Sequence, residues 1–310
     1  MSFAKTLDRK SNVSPQSCYV PAFKVLMIKL YSSIIVELQD TSVSNKLEMI
    51  RKHLHLEPFQ LQHSLAELRK HRSNIAAEFR DKNWYTGQKP QDRLLDVKKS
   101  AAYSEWLNTS QSRLLVVSGE NDVTQAPHCW VSPLALDLIE QLNQNSLHPS
   151  KPFTFYLLGH RESDESPQDV VASLILRFLS IRKDLLQSPC YDELWSQVQA
   201  YDDELCSPNH SLHKIQEALD SVVLKAFNLL DSNEAIWIVL DRGDKCQLPG
   251  LRHTGSRTLL RTMVRLVERS KATVKILCVV NRADWRIEND EADLGAEEDG
   301  TLVIHRCKQS

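Results

Sequence analysis

The sequence predicts an α/β protein: a three-layer domain with a mainly parallel five-stranded sheet, preceded by an α-helical N-terminal region. Five short apolar runs carry this reading, at 113–117, 153–158, 235–240, 274–280 and the weaker 302–304. Near-continuous apolar runs suit strands buried on both faces, and strands alternating with helical patterns indicate βαβ units. Before residue 110 the apolar spacing is three and four residues, which is the helical period.

Residues 1–20 are polar, contain Ser14-Pro15 and precede Pro21, so a flexible arm is expected there. Phe23, Leu26, Met27, Leu30, Ile34 and Leu38 then form one stripe of a helix. The polar segment 40–45 reads as a break, with further helices at 46–55 and 58–80. Gly87, Lys89 and Pro90 make 83–92 the expected linker, so the predicted regions are 1–20, 21–88 and 93–310. An amphipathic helix over 93–107 ends at Trp106-Leu107, and the first strand ends at Ser118-Gly119. Ser132-Pro133 and Ser166-Pro167 each read as an N-cap followed by Pro at the first helical position. Further helices fit 191–205, 211–230 and 258–270, and the acidic stretch 288–299 reads as a solvated loop.

Composition excludes several classes of function. The 310 residues are 42% hydrophobic and 25% charged, with a formal net charge of -2, which points to no nucleic-acid role. Charge is nevertheless uneven: residues 1–110 hold 17 Lys+Arg against 11 Asp+Glu, leaving 21 against 29 in the rest. Docking of the basic helices on the acidic domain is the expected outcome, because no basic run exceeds two residues. Seven scattered cysteines without a Cys-x-x-Cys pair read as reduced thiols. With no secretory signal and no apolar stretch of about 20 residues, the expected location is cytoplasmic, with no membrane partner.

The stretch from Ile236 to Cys246 is the most informative. An acid at the carboxyl end of a buried strand sits where open α/β sheets bind ligands. Trp106-Leu107, the Ser118-Gly119 strand end, Asp241-Arg242-Gly243-Asp244-Lys245-Cys246 and Val280-Asn281-Arg282 follow in order. Together they resemble the NACHT-type STAND P-loop NTPases, most closely the nephrocystin-like N-terminal domain common in fungal signalling proteins. The similarity spans roughly 93–305 and implies that the Ser118-Gly119 strand lies centrally. It also implies nucleotide contact at Ser118, Gly119, Asp241, Asp244 and Arg282, with Asp241 on the metal.

The departures argue against turnover. A phosphate loop needs small residues and a Lys reaching the phosphates, yet residues 120–131 supply neither a second Gly nor a Lys. Glu120 and Asp122 stand where phosphate would lie, and each like-charge contact near 4 Å costs on the order of 1–4 kcal/mol. Lys245 replaces the Glu that would polarise water and cannot act as a base while protonated. The expectation is a degenerate pseudo-NTPase with no catalytic residue and no cofactor, acting on protein partners such as related STAND proteins. The alternative is a weak ATP/GTP-binding protein or slow NTPase using Asp241, Asp244 and Arg282. Cys206, His210 and His213 lack a fourth zinc ligand, and His53, His55, His63 and His71 read as solvated helix positions.

Overall fold

The computed structural model describes residues 16–57, 65–81, 90–121, 129–144, 152–158, 165–208, 211–248, 253–296 and 300–307. The chain divides into two compact units, residues 1–46 and 47–310.

The first unit is the greater part of one long helix, α1 (Gln16–His53). It runs through 40–45 and contains Pro21, which corrects the predicted break, the predicted stop and the unstructured reading of 16–20; residues 1–15 lie outside the described residues. The segment 40–45 holds no Gly or Pro, and the helix cost of its other residues is only a few tenths of a kcal/mol each. Thr41, Ser32 and Ser33 turn their hydroxyls back onto the carbonyls of Glu37, Ile28 and Lys29. Nine apolar side chains between Val25 and Leu38 are exposed, from 37% at Ile35 to 67% at Tyr31. No helix among the described residues is long and apolar enough to cross a membrane.

In the second unit, α2 (Leu65–Asp81) is followed by α3 (Pro90–Lys99) and α4 (Ala101–Asn108). The single helix expected over 93–107 is thus two, split at Ser100, whose side chain accepts from the Tyr103 N–H and caps α4. Of the predicted linker, 83–89 lies outside the described residues and Pro90 opens α3. Strands β1 (Arg113–Gly119), β2 (Phe153–Leu157), β3 (Ala235–Asp241), β4 (Thr273–Asn281) and β5 (Leu302–Arg306) pair in the order β2-β3-β4-β1-β5, all parallel. The middle strand is therefore β4. The expected central place of β1 is corrected by one position, because β5 alone lies outside it.

Helices α5 (Ser132–Asn143), α6 (Pro167–Ile181), α7 (Tyr191–Cys206), α8 (Leu212–Phe227) and α9 (Thr254–Arg269) complete the layers. Alternate strand residues Leu115, Val117, Trp237, Val239, Leu277 and Val279 share one core with α4 and α5, while α6, α8 and α9 pack on one another. Period-two alternation places the two sets on opposite faces. Docking of the basic helices is visible here: Arg72 of α2 pairs with Asp137 and Glu140 of α5, and Lys98 of α3 reaches Asp137 at 2.7 Å. Residues 288–296 are not a plain solvated loop. Two short 3-10 turns bury Ile287 and Leu294, and Arg257 and Arg282 neutralise Asp290 and Glu288.

Candidate nucleotide site at the strand ends

The carboxyl ends of β1, β3 and β4 converge, and sequence-predicted residues stand at each: Ser118 and Gly119 on β1, Asp241 on β3, Asp244 just after it and Arg282 just after β4. Their side chains do not form one cluster. Asp241 is fully buried and one of its oxygens lies 3.3 Å from Nε2 of His71 on α2. His71 is thus a buried residue, 2% exposed, and not the solvated helix position expected. The other Asp241 oxygen, Oδ1, is buried without a hydrogen-bond partner, as are the hydroxyls of Ser118 and Ser132.

Arg242 reverses the chain after β3 with a left-handed backbone, φ 60°, which an ordinary residue adopts at a cost of roughly 1–2 kcal/mol. The turn directs its guanidinium inward. Arg242 is 1% exposed and donates from Nε and Nη2 to Asp244, and from Nη2 to Asp284 at 2.7 Å. Burial alone would lower its pKa, yet the charge and hydrogen bonds of Asp244, with the charge of Asp284, raise it above the usual arginine value. Asp244 also accepts from the Asn281 N–H at 2.8 Å, which ties β3 to β4. Gly243 follows because no Cβ fits: one would lie 2.6 Å from Cys278 Sγ. Lys245, at the place of the water-polarising acid, lies 3.3 Å from Asp284. Burial would raise the Asp284 pKa, but Lys245, Arg242 and Asn281 together hold it below the ordinary carboxylate value.

Arg282 donates to Glu288 at 2.6 Å and to Glu120 at 3.1 Å. Arg282 is thus paired with two acids. Glu120 is consequently neutralised, which weakens its repulsion of an anion, while Asp122 lies outside the described residues along with the rest of 122–128.

The start of α5 is closed as well. Val131, not Ser132, occupies the N-cap in helical geometry, and no side chain caps the helix. Trp130 N–H donates to Asn121, Ser132 N–H to the Cys129 carbonyl and Leu134 N–H to the Val131 carbonyl, while Pro133 has no N–H. The Trp130 indole covers Gly119, approaching within 3.2 Å of where a Cβ would be, and donates to the Glu120 carbonyl. Cys129 lies fully buried beside it, and burial pushes its thiol up to about 12.

Trp106 and Leu107 lie in the last turn of α4, and their carbonyls accept from the buried Lys275 ammonium at 2.9 and 2.8 Å. The Trp106 indole donates to the Arg113 carbonyl and meets the Trp237 ring edge-on at 5.3 Å. Two grooves of about 300 and 250 Å³ lie elsewhere, both between α8 and α9 and both lined by Asp220, Thr262 and Arg265.

Sequence reasoning missed His71, Asp284 and the inward Arg242. Arg242 lies inside the motif and could have been weighed as a charge there, whereas no local pattern announces His71, 170 residues from Asp241.

This parallel order, with acid-tipped β3 separated from β1 by a single strand, defines a P-loop NTPase-like α/β domain. The family model described as nephrocystin 3, N-terminal matches residues 95–280, and the chain belongs to that NACHT-related family. No curated protein matches the chain.

Proposed function

We propose that the chain is a catalytically inactive NACHT/STAND-like module that works through protein contacts. The closed start of α5 carries this reading. Anions bind helix starts through free N–H groups, and here those of Trp130, Ser132 and Leu134 already have acceptors. Arg242, directly after β3, is held by Asp244 and Asp284, and Arg282, directly after β4, is held by Glu120 and Glu288. A magnesium ion keeps several waters and wants near-octahedral oxygens; Asp241, with zero exposure, offers one unpartnered oxygen. Among the described residues these contacts favour a domain that does not hold a magnesium nucleotide.

The second reading, weak ATP or GTP binding through Asp241, Asp244 and Arg282, is favoured by the unpartnered oxygens of Asp241 and Ser132. Both are acceptors in search of a donor or cation. Magnesium ATP binding no tighter than millimolar supports the first reading; micromolar binding lost in Asp241→Ala supports the second.

The contact surface in this reading is α1, and the partner is a second copy. Met27, Leu30, Tyr31 and Ile34 are exposed, and their spacing is symmetric, so antiparallel helices would set Leu30 against Tyr31 and Met27 against Ile34. Lys24 and Lys29 precede Glu37 and Asp40, so antiparallel pairing lays basic halves along acidic ones while parallel pairing lays like along like. Sedimentation velocity on the full chain should show concentration-dependent association in the micromolar range, abolished by joint Leu30→Glu and Ile34→Glu. A monomer at all concentrations, with the wild-type helices present, would contradict it.

A further inference from the structure

The geometry points to a zinc-class metal site on the surface of the second unit, formed by His55, Asp202 and Cys206, with His53 as the positioning residue behind it. Nε2 of His55, a carboxylate oxygen of Asp202 and Sγ of Cys206 all lie within 4.8 Å of one another. Asp202 and Cys206 are one helical turn apart on α7, so both project from the same face. His55 Nε2 sits 2.6 Å from Asp202 Oδ1, and Cys206 Sγ sits 3.6 Å from that same oxygen. His53 Nδ1 takes the other oxygen, Oδ2, at 2.5 Å, and its ring is braced edge-on against Trp195 at 4.9 Å.

One imidazole, one thiolate and one carboxylate suit a borderline-soft divalent cation, and zinc above the hard magnesium or calcium. In zinc sites the ligand-to-metal distances are about 2.0–2.3 Å, so ligand atoms stand roughly 3–4 Å from each other around a tetrahedron. The present cluster needs the His55–Asp202 contact of 2.6 Å to open and the widest separation, up to 4.8 Å, to close, shifts of roughly an ångström and not a rearrangement. A carboxylate ligand held from behind by a second group matches the way outer partners orient metal ligands. Three protein donors leave the fourth position open to water or to a donor from another molecule.

The backbone supports the same reading. The helix ends with Leu56 N–H on the Arg51 carbonyl and His55 N–H on the Lys52 carbonyl, the pattern in which glycine ordinarily takes the left-handed position. His55 occupies it at φ 55°. A histidine there gives up the ease of glycine and gains an imidazole aimed at Asp202. Binding is pure coordination: the metal displaces the Cys206 thiol proton to solvent and replaces the His55–Asp202 hydrogen bond, with no change of oxidation state.

The test loads the full chain, reduced and chelator-treated, with zinc and separately with cobalt(II). One equivalent of each is expected to bind, cobalt giving a thiolate-to-metal charge-transfer band and a tetrahedral visible spectrum. Cys206→Ser should remove the charge-transfer band and weaken zinc at least tenfold, and His53→Gln should weaken it about tenfold. His55→Gly separates metal binding from folding. It should keep or raise the melting temperature of the metal-free chain, since glycine suits that backbone, while losing the stabilisation by zinc. Binding equal in wild type and Cys206→Ser, or a zinc-induced rise in melting temperature that survives His55→Gly, would overturn the site, as would no binding at micromolar zinc.

Discussion

Asp244→Ala is expected to destabilise the second unit by about 3–5 kcal/mol, the cost of removing one partner of a buried ion pair. Arg242 and Asp244 are 1% and 0% exposed at their side chains, and the alanine would leave a buried guanidinium that has lost one of its carboxylate partners while keeping Asp284. It would also orphan the Asn281 N–H at the end of β4. Urea denaturation followed by circular dichroism gives the midpoint, with the slope unchanged if two-state unfolding holds. Replacing both members, Arg242→Met with Asp244→Leu, should recover part of the loss, because an apolar pair carries no uncompensated charge. A cost below about 1 kcal/mol for Asp244→Ala would mean that the guanidinium reaches water.

Trp106→Ala is expected to cost a similar amount, about 3–5 kcal/mol, as a large aromatic deletion in a packed core. Trp106 is fully buried, contacts Trp237 edge-on and donates to the Arg113 carbonyl at the start of β1. It also lies in the last turn of the helix, whose carbonyls there satisfy the buried Lys275 ammonium. Collapse of that helix end would strand a charge as well as a cavity, which places the effect toward the upper end. Trp106→Phe keeps most of the volume and loses one hydrogen bond, worth about 1 kcal/mol. The pair of variants, compared by urea midpoint, separates packing from the indole N–H; equal costs would contradict the cavity explanation.

The sheet was legible because β1 to β4 are buried on both faces and appear as apolar runs, while the half-buried edge strand β5 gives the weaker run; all five ends fall within a residue or two of the structure. Helices α5 through α9 were legible for the same reason, each turning an apolar stripe to one layer. Reading failed where a short-range signal was overruled by continuity: 40–45 looks like a break, but nothing there forbids helix, and α1 continues. At the site, Asp241, Asp244 and Arg282 were findable because Asp241 ends a strand and the other two follow strand ends. Their partners were not. Glu120 and Arg282 meet across 162 residues, and His55 and Asp202 across 147, distances at which only the assembled fold brings charges together. The local rule that two carboxylates repel phosphate was therefore incomplete for Glu120, and the weight of the inactive reading shifts to the occupied amides at the start of α5.

Isothermal titration of the purified full chain with magnesium ATP tests that reading most directly. No heat of binding, or a dissociation constant in the millimolar range unchanged by Asp241→Ala, is the expected result. Micromolar affinity that disappears in Asp241→Ala would show that the amides of α5 open to phosphate and that the domain still takes a nucleotide.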